Sequence, residues 1–257
     1  MISGWLFCAL GAQTRGESIS VNVDGQTRSA IVFRPSSSGA KKPAIYFVFH
    51  GLGGNARAAV RQFQIHELDQ SAIVVYAEGI PAPLKQERSI RLGGRNIGLN
   101  GKNTWQIMPG QYADRDLHFV QALVKWGDQN GADSTHRFYI GHSNGSVFAW
   151  VVLKEMGNSF ARFVGMNGGT LLPLSGAPQG PTFLTTGTND RLVPPASVEK
   201  FGDTLATHNN CSGGSGSPVK TYAGANPVYL YEYAGGHMPP NDAYAMAVKF
   251  CQTGKPN

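Results

Sequence analysis

The sequence predicts an α/β protein: a doubly wound, mostly parallel sheet preceded by an N-terminal β-hairpin. Three observations predict it. Nearly continuous apolar runs, Ala44-Ile45-Tyr46-Phe47-Val48-Phe49 and Ala72-Ile73-Val74-Val75-Tyr76, read as strands buried on both faces. Stretches of helical period lie between such runs, so strands and helices alternate along the chain. Finally, Arg137-Phe138-Tyr139-Ile140 leads through Gly141-His142-Ser143-Asn144-Gly145 directly into the apolar stretch 146–153, which is strand, tight turn and helix in succession. At 257 residues, 41% apolar and 15% charged, the chain supports one sizeable core. No internal repeat or second domain is visible, and residues 17–257 read as one unit.

Residues 1–16 stand apart. Residues 5–10 form a short apolar run, and Ala9-Leu10-Gly11 offers a small-residue cleavage site, although no Lys or Arg precedes the run. The segment reads as a signal peptide, short or truncated, with an apolar arm of the mature protein as the alternative. It is too short to span a bilayer, so no stable membrane insertion is expected. A secreted or periplasmic location follows from the signal-peptide reading. Cysteine usage agrees with export. Once Cys8 leaves with the signal, Cys211 and Cys251 remain as an even pair, and a disulfide between them is expected, with two free thiols in a cytosolic protein as the alternative.

Residues 18–23 alternate with period two up to Asp24-Gly25, and residues 27–33 resume the extended pattern, which makes a hairpin. The strand over 43–50 runs into Gly51-Leu52-Gly53-Gly54-Asn55, followed by a helix over 56–68. The strand over 72–76 ends at Glu78-Gly79. Residues 81–111 are rich in Gly and Pro without a clear period, and a loop this long in a compact domain is usually functional. A helix over 116–130 precedes the 137–140 strand. Strands are expected at 160–166, 182–186 and 228–233, with helices at 195–208 and 240–251. The net charge of +6 is carried by scattered residues, Lys41-Lys42 being the only adjacent basic pair, so nucleic acid is not an expected partner.

The chemistry centres on Ser143. A Gly-x-Ser-x-Gly run between strand and helix is the nucleophile-elbow pattern, in which glycine two residues to either side avoids collision with neighbouring elements. A serine hydroxyl needs a base, usually a histidine held by a carboxylate. In doubly wound sheets functional residues gather where strands end. Asp190 follows the 182–186 strand, whereas Asp203 lies within a helical pattern and Asp242 at a helix start. His237 follows the last strand behind Gly235-Gly236. His50 also ends a strand but precedes the nucleophile, and His66, His118, His136 and His208 lie on helices or their edges. Ser143, Asp190 and His237 therefore form the candidate catalytic set. Candidate oxyanion donors are the backbone N–H groups of Asn144 and of Leu52, with Gly51 second to Leu52. His50, Gly51 and His142 are candidate substrate contacts beside the nucleophile. Trp105 is another, as a flat surface for an aromatic or sugar ring. No metal-ligand spacing and no phosphate loop is present, so neither metal nor other cofactor is expected.

Taken together, His50-Gly51-Leu52-Gly53-Gly54, Gly141-His142-Ser143-Asn144-Gly145, Gly187-Thr188-Asn189-Asp190 with Val193-Pro194, and Gly235-Gly236-His237 resemble the α/β-hydrolase group of secreted polyhydroxybutyrate depolymerases and feruloyl esterases. The resemblance covers roughly residues 20–252. It implies a secreted serine carboxylesterase acting on a small-molecule or polymer-borne ester, a feruloyl ester of plant cell walls first. Hydroxybutyrate polymers and acetyl esters are the alternatives, with a serine peptidase or a non-catalytic binding protein on the same scaffold further off. The chain closes soon after its last expected helix, without the linker and polymer-binding module of some depolymerases, and soluble esters are favoured over solid polymer.

Overall fold

Ten strands form one sheet in the computed structural model, which describes residues 16–35, 41–83, 89–92, 95–99, 101–170 and 172–257. The expected signal segment, Gly16 excepted, and Cys8 lie outside these residues. The elements in chain order are β1 (Glu17–Val23), β2 (Gln26–Phe33), β3 (Ile45–Phe49), α1 (Ala56–Phe63), α2 (Ile65–Leu68) and β4 (Ile73–Ala77). Four short strands follow, β5 (Ile80–Pro81), β6 (Ser89–Leu92), β7 (Arg95–Gly98) and β8 (Asn103–Thr104). Next come α3 (Arg115–Gln129), β9 (Arg137–His142), α4 (Asn144–Met156), β10 (Arg162–Met166) and β11 (Thr182–Gly187). The chain closes with α5 (Pro195–His208), β12 (Ser212–Ser215), β13 (Val219–Ala223), β14 (Val228–Tyr233) and α6 (Asn241–Thr253).

The sheet order is β1-β2-β4-β3-β9-β10-β11-β14-β13-β12. Its centre, β4-β3-β9-β10-β11-β14, is parallel throughout. The expected hairpin β1-β2 adds antiparallel strands at one edge. A second hairpin, β12-β13, adds them at the other. The sequence did not announce this one, because β12 is Ser-Gly-Gly-Ser and carries none of the β-branched or aromatic residues that mark a strand.

Strand parity builds the two layers. Ile45, Phe47 and Phe49 of β3 face one side with Ile73 and Val75 of β4, under Phe119 and Leu123 of α3, Phe148 of α4 and Leu205 of α5. Tyr46 and Val48 face the other side with Val74 and Tyr76, under Phe63 of α1, Ile65 of α2 and Tyr244 and Phe250 of α6. Both faces are covered, which is why the central strands are apolar without alternation.

Three expectations need correction here. The helix over 56–68 breaks at Gln64, which adopts φ 47°, and becomes α1 and α2. The stretch 81–111 is not structureless, since β5 pairs with β8 and β6 with β7. Cys211 and Cys251 are free thiols, not a disulfide. The reason lies in the layers: Cys251, a residue of α6, is fully buried on one face, while Cys211 packs against the core of the opposite face. The sheet itself stands between the two sulfurs.

Candidate active site

The turn from β9 into α4 holds Ser143 at φ 53° and ψ −116°, a region that non-glycine residues rarely occupy. The surroundings impose that conformation. The Ser143 N–H donates to the carbonyl of Met166 at 2.8 Å, and its own carbonyl accepts from Val147 at 3.0 Å. The flanking glycines are obligatory by contact. A Cβ on Gly141 would lie 2.2 Å from the Gly145 oxygen, and one on Gly145 would lie 2.4 Å from the Phe49 oxygen. The elbow thus packs directly on the end of β3.

Asp190 follows β11, and His237 follows β14, so all three residues stand at the carboxyl ends of parallel strands of one sheet, β10 lying between β9 and β11. The loops that carry Asp190 and His237 are zipped together, Thr188 N–H donating to the Tyr233 carbonyl at 3.0 Å and Asn189 N–H to that of Gly235 at 2.8 Å. His237 Nδ1 lies 2.8 Å from Asp190 Oδ2, and Nε2 lies 2.8 Å from Ser143 Oγ. A carboxylate only accepts, so the proton sits on Nδ1 and Nε2 is left to accept from the serine hydroxyl. In the sequence each of the three stands alone behind its own strand, and the fold brings them together as one relay.

Asp190 is buried, yet its carboxyl is held below its usual range. Burial opposes the charge. The N–H of Val193 at 3.0 Å, the imidazole of His237 and the N–H of Leu192 at 2.9 Å outweigh it by donating to the anion. Asn167, which the sequence reading passed over, donates to the same oxygen as His237. Its one sequence signal is its place directly after a strand, β10.

The other candidates fall into two groups. Gly51 and Leu52 leave β3 beside Ser143, and a Cβ on Gly51 would lie 3.2 Å from Ser143 Cβ. The turn they begin is tied down, Gly53 N–H donating to the Asn103 carbonyl at 2.8 Å and Gly54 N–H to that of Gly51 at 3.0 Å. Asn144 opens α4, where backbone N–H groups have no partner within the helix. Its side chain has a separate task. Oδ1 accepts from Trp105 N–H at 2.7 Å and Nδ2 donates to the Trp105 carbonyl at 3.1 Å, which pins the 104–105 segment to the elbow.

His50, His142 and Trp105 line the site from beneath and offer no open surface to a ligand. His50 is 3% exposed and spends both ring nitrogens on backbone, Nδ1–H donating to the Gly51 carbonyl at 2.8 Å and Nε2 accepting from Gly79 N–H at 3.0 Å. His142 is 5% exposed and donates from Nε2 to the His237 carbonyl at 2.9 Å. Burial pushes both imidazoles down to about 4, so they are neutral near neutrality. Trp105 is 1% exposed. Its ring stacks on Phe148 and meets Phe49 edge-on, and Nε1 donates to the His50 carbonyl at 2.8 Å. The expectation of a ring-stacking platform fails because the indole fills the core between β3 and α4. Among the described residues no group of three or more His, Cys, Asp or Glu could hold a metal ion.

No protein-family model matches the chain, and no curated protein matches its sequence. Solved structures match its fold. The acetyl xylan esterase from Aspergillus awamori aligns at TM-score 0.67 and 13% identity, over 91% of this chain and 100% of that one. The Bacillus cereus carboxylesterase aligns at 0.57 and 18%, over 88% and 93%. The S-formylglutathione hydrolase from Staphylococcus aureus aligns at 0.61 and 12%, over 92% and 96%. At such identities the likeness is one of fold, and that fold is the α/β-hydrolase fold.

Proposed function

We propose that the chain is a serine carboxylic-ester hydrolase that transfers the acyl group of its substrate through Ser143 to water. One observation carries this reading: Ser143 Oγ, His237 and Asp190 form a continuous relay with two 2.8 Å contacts, and the serine sits on a strained turn facing its base. Ser143 Oγ attacks the ester carbonyl carbon while its proton passes to His237 Nε2. Asp190 holds the imidazole and stabilises its cation. The N–H groups of Leu52 and Asn144 receive the developing oxyanion. Collapse returns the proton to the leaving alcohol. A water then gives its proton to His237, attacks the acyl-enzyme and releases the acid, and Ser143 is regenerated.

The resemblance in sequence supports feruloyl esters as the first substrate class to try. The burial of Trp105 removes the ring platform expected for an aromatic or sugar group, and the fold neighbours include an enzyme whose name states acetyl xylan. An exported enzyme is the companion proposal. It now rests on the N-terminal segment, since the cysteines do not pair. N-terminal sequencing of protein recovered outside the cell tests it.

The mechanism is tested with p-nitrophenyl acetate. A stoichiometric burst of p-nitrophenol, absent from a folded Ser143→Ala variant, is the expected result. Undiminished turnover in that variant refutes the reading. A panel of methyl ferulate, acetylated sugar and a 3-hydroxybutyrate oligomer then ranks the acyl groups, and preference for either of the latter two displaces the feruloyl reading while leaving the mechanism in place.

A further inference from the structure

We infer that Asn167 is a positioning residue of this site, whose side-chain amide fixes the Asp190 carboxylate against His237 and ties it to the loop that carries His237. The inference rests on the reading of Ser143, His237 and Asp190 as one acyl-transfer site.

Asn167 directly follows β10 and is fully buried, at φ 51°. Among side chains with a Cβ, asparagine tolerates that left-handed conformation best. Its backbone N–H donates to the Thr185 carbonyl at 2.9 Å, which anchors the residue to β11, the strand that delivers Asp190. The amide is then used on both sides. Nδ2 lies 3.2 Å from Asp190 Oδ2 and 2.8 Å from the Tyr233 hydroxyl oxygen, one hydrogen for each. Oδ1 accepts from the Thr185 hydroxyl at 3.1 Å. Tyr233 in turn donates its O–H to the Gly236 carbonyl at 2.8 Å, one residue before His237.

The orientation of this amide follows from its neighbours. Turned over, it would set its carbonyl oxygen against the carboxylate, two acceptors with no proton between them. Oδ2 of Asp190 therefore receives two donors, His237 Nδ1–H and Asn167 Nδ2–H. The amide and Tyr233 stop the carboxylate from rotating away and brace the histidine loop at Gly236 in the same chain of contacts. The titratable groups facing the amide are Asp190 and Tyr233 directly and His237 across the shared oxygen. His142 bonds to the backbone carbonyl of His237 and sets its ring 5.0 Å from the His237 ring, so it faces the same group from β9; burial keeps it neutral.

The residue touches no reacting atom, so its effect should appear in turnover and pH dependence and not in substrate affinity. The test is kcat and KM on p-nitrophenyl acetate across the range where imidazole titrates, with active sites counted by the burst, for wild type, Asn167→Asp, Thr185→Val and Ser143→Ala. Asp keeps the shape and the left-handed tolerance of Asn but replaces a donor by an acceptor beside Asp190. The expected result for Asn167→Asp is a fall of about tenfold or more in kcat per active site, with KM changed by less than about twofold. The acid limb of the rate profile should also move, because a carboxyl at 167 shares a proton with the Asp190 carboxylate and titrates together with His237. Thr185→Val, which removes the donor to Oδ1, should lower kcat per active site in smaller measure, again with KM little changed.

A folded Asn167→Asp enzyme with wild-type kcat and an unmoved acid limb overturns the inference. So does a lower melting temperature with unchanged turnover per active site, since the amide would then serve stability alone. Should Asn167→Asp not fold, Thr185→Val decides by kcat per active site against KM: unchanged kcat in the folded variant overturns the inference. Activity surviving in Ser143→Ala removes the acyl-transfer reading and this inference with it, whereas activity lost there but unchanged in Asn167→Asp removes this inference alone.

Discussion

His142 donates its Nε2–H to the carbonyl oxygen of His237 across 2.9 Å, with the two rings 5.0 Å apart. The residue before Ser143 thus carries the backbone of the residue whose Nε2 lies 2.8 Å from the Ser143 hydroxyl. Elbow and histidine loop are 95 residues apart in sequence and share this bond within the buried floor of the site. His142→Leu removes the donor and leaves a carbonyl unpaired. The expected outcome is a drop in kcat of about tenfold with KM little changed, measured on a small activated ester. A loss confined to KM would show that His142 meets the substrate after all.

Asp190 accepts from His237, Leu192, Val193 and Asn167, so its charge is both needed and well supplied. In Asp190→Asn the side chain keeps its size but the imidazole loses the partner that fixes its tautomer. Turnover should fall by up to about 10⁴-fold while the fold survives. Circular dichroism together with burst titration checks this, and more than a tenth of wild-type activity in the folded variant speaks against the assignment.

Acid should destabilise the protein well before its carboxylates titrate. His50 and His142 are pushed from 6.5 to about 4 by burial, and His66 is lowered for the same reason. Between those values the unfolded chain binds protons that the native state refuses, so unfolding free energy rises with pH through this window and is lost as pH falls through it. The two fully buried rings contribute on the order of 3 kcal/mol each over the whole window. Asp190, held low, adds a loss in the same direction at still lower pH, while Asp116, pushed up by burial, works the opposite way. Urea denaturation at neutral pH and at pH near 4.5 measures the difference. Equal midpoints at both would refute the assignment of neutral buried histidines.

Trp105→Ala tests the core against the surface. The indole is sealed by Phe49, Phe148 and the His50 carbonyl. Truncation should cost about 3–5 kcal/mol of stability. Because the same segment is bonded to Asn144, activity should fall to a similar degree on acetyl and feruloyl esters. A selective rise in KM for the feruloyl ester at unchanged melting temperature would instead return Trp105 to the substrate.

Much of the site was legible from local order. A strand ends where its apolar run ends, and side chains at the carboxyl ends of parallel strands converge. Ser143, Asp190 and His237 could therefore be named from the position of each behind its own strand. The close approaches at Gly141 and Gly145, which leave no room for a Cβ, were implied by the same spacing. Two-sided burial of β3 and β4 was readable too, because it leaves the strands uniformly apolar, although which residue faces which layer was not.

Other features depend on which face or which neighbour a residue meets across the chain, and no local pattern encodes that. Cys211 and Cys251 look like a pair by number, yet they pack on opposite sides of the sheet. Trp105 sits in a glycine-rich, proline-rich stretch that reads as exposed loop, yet Asn144 and His50 draw it into the core. Strand β12 has no strand-forming side chains and exists because β13 offers it an edge. Asn167 is an ordinary polar residue in the sequence. Only the adjacency of β10 and β11 sets its amide between Asp190 and Tyr233, and that adjacency is a property of sheet order, which hydrophobic pattern leaves open.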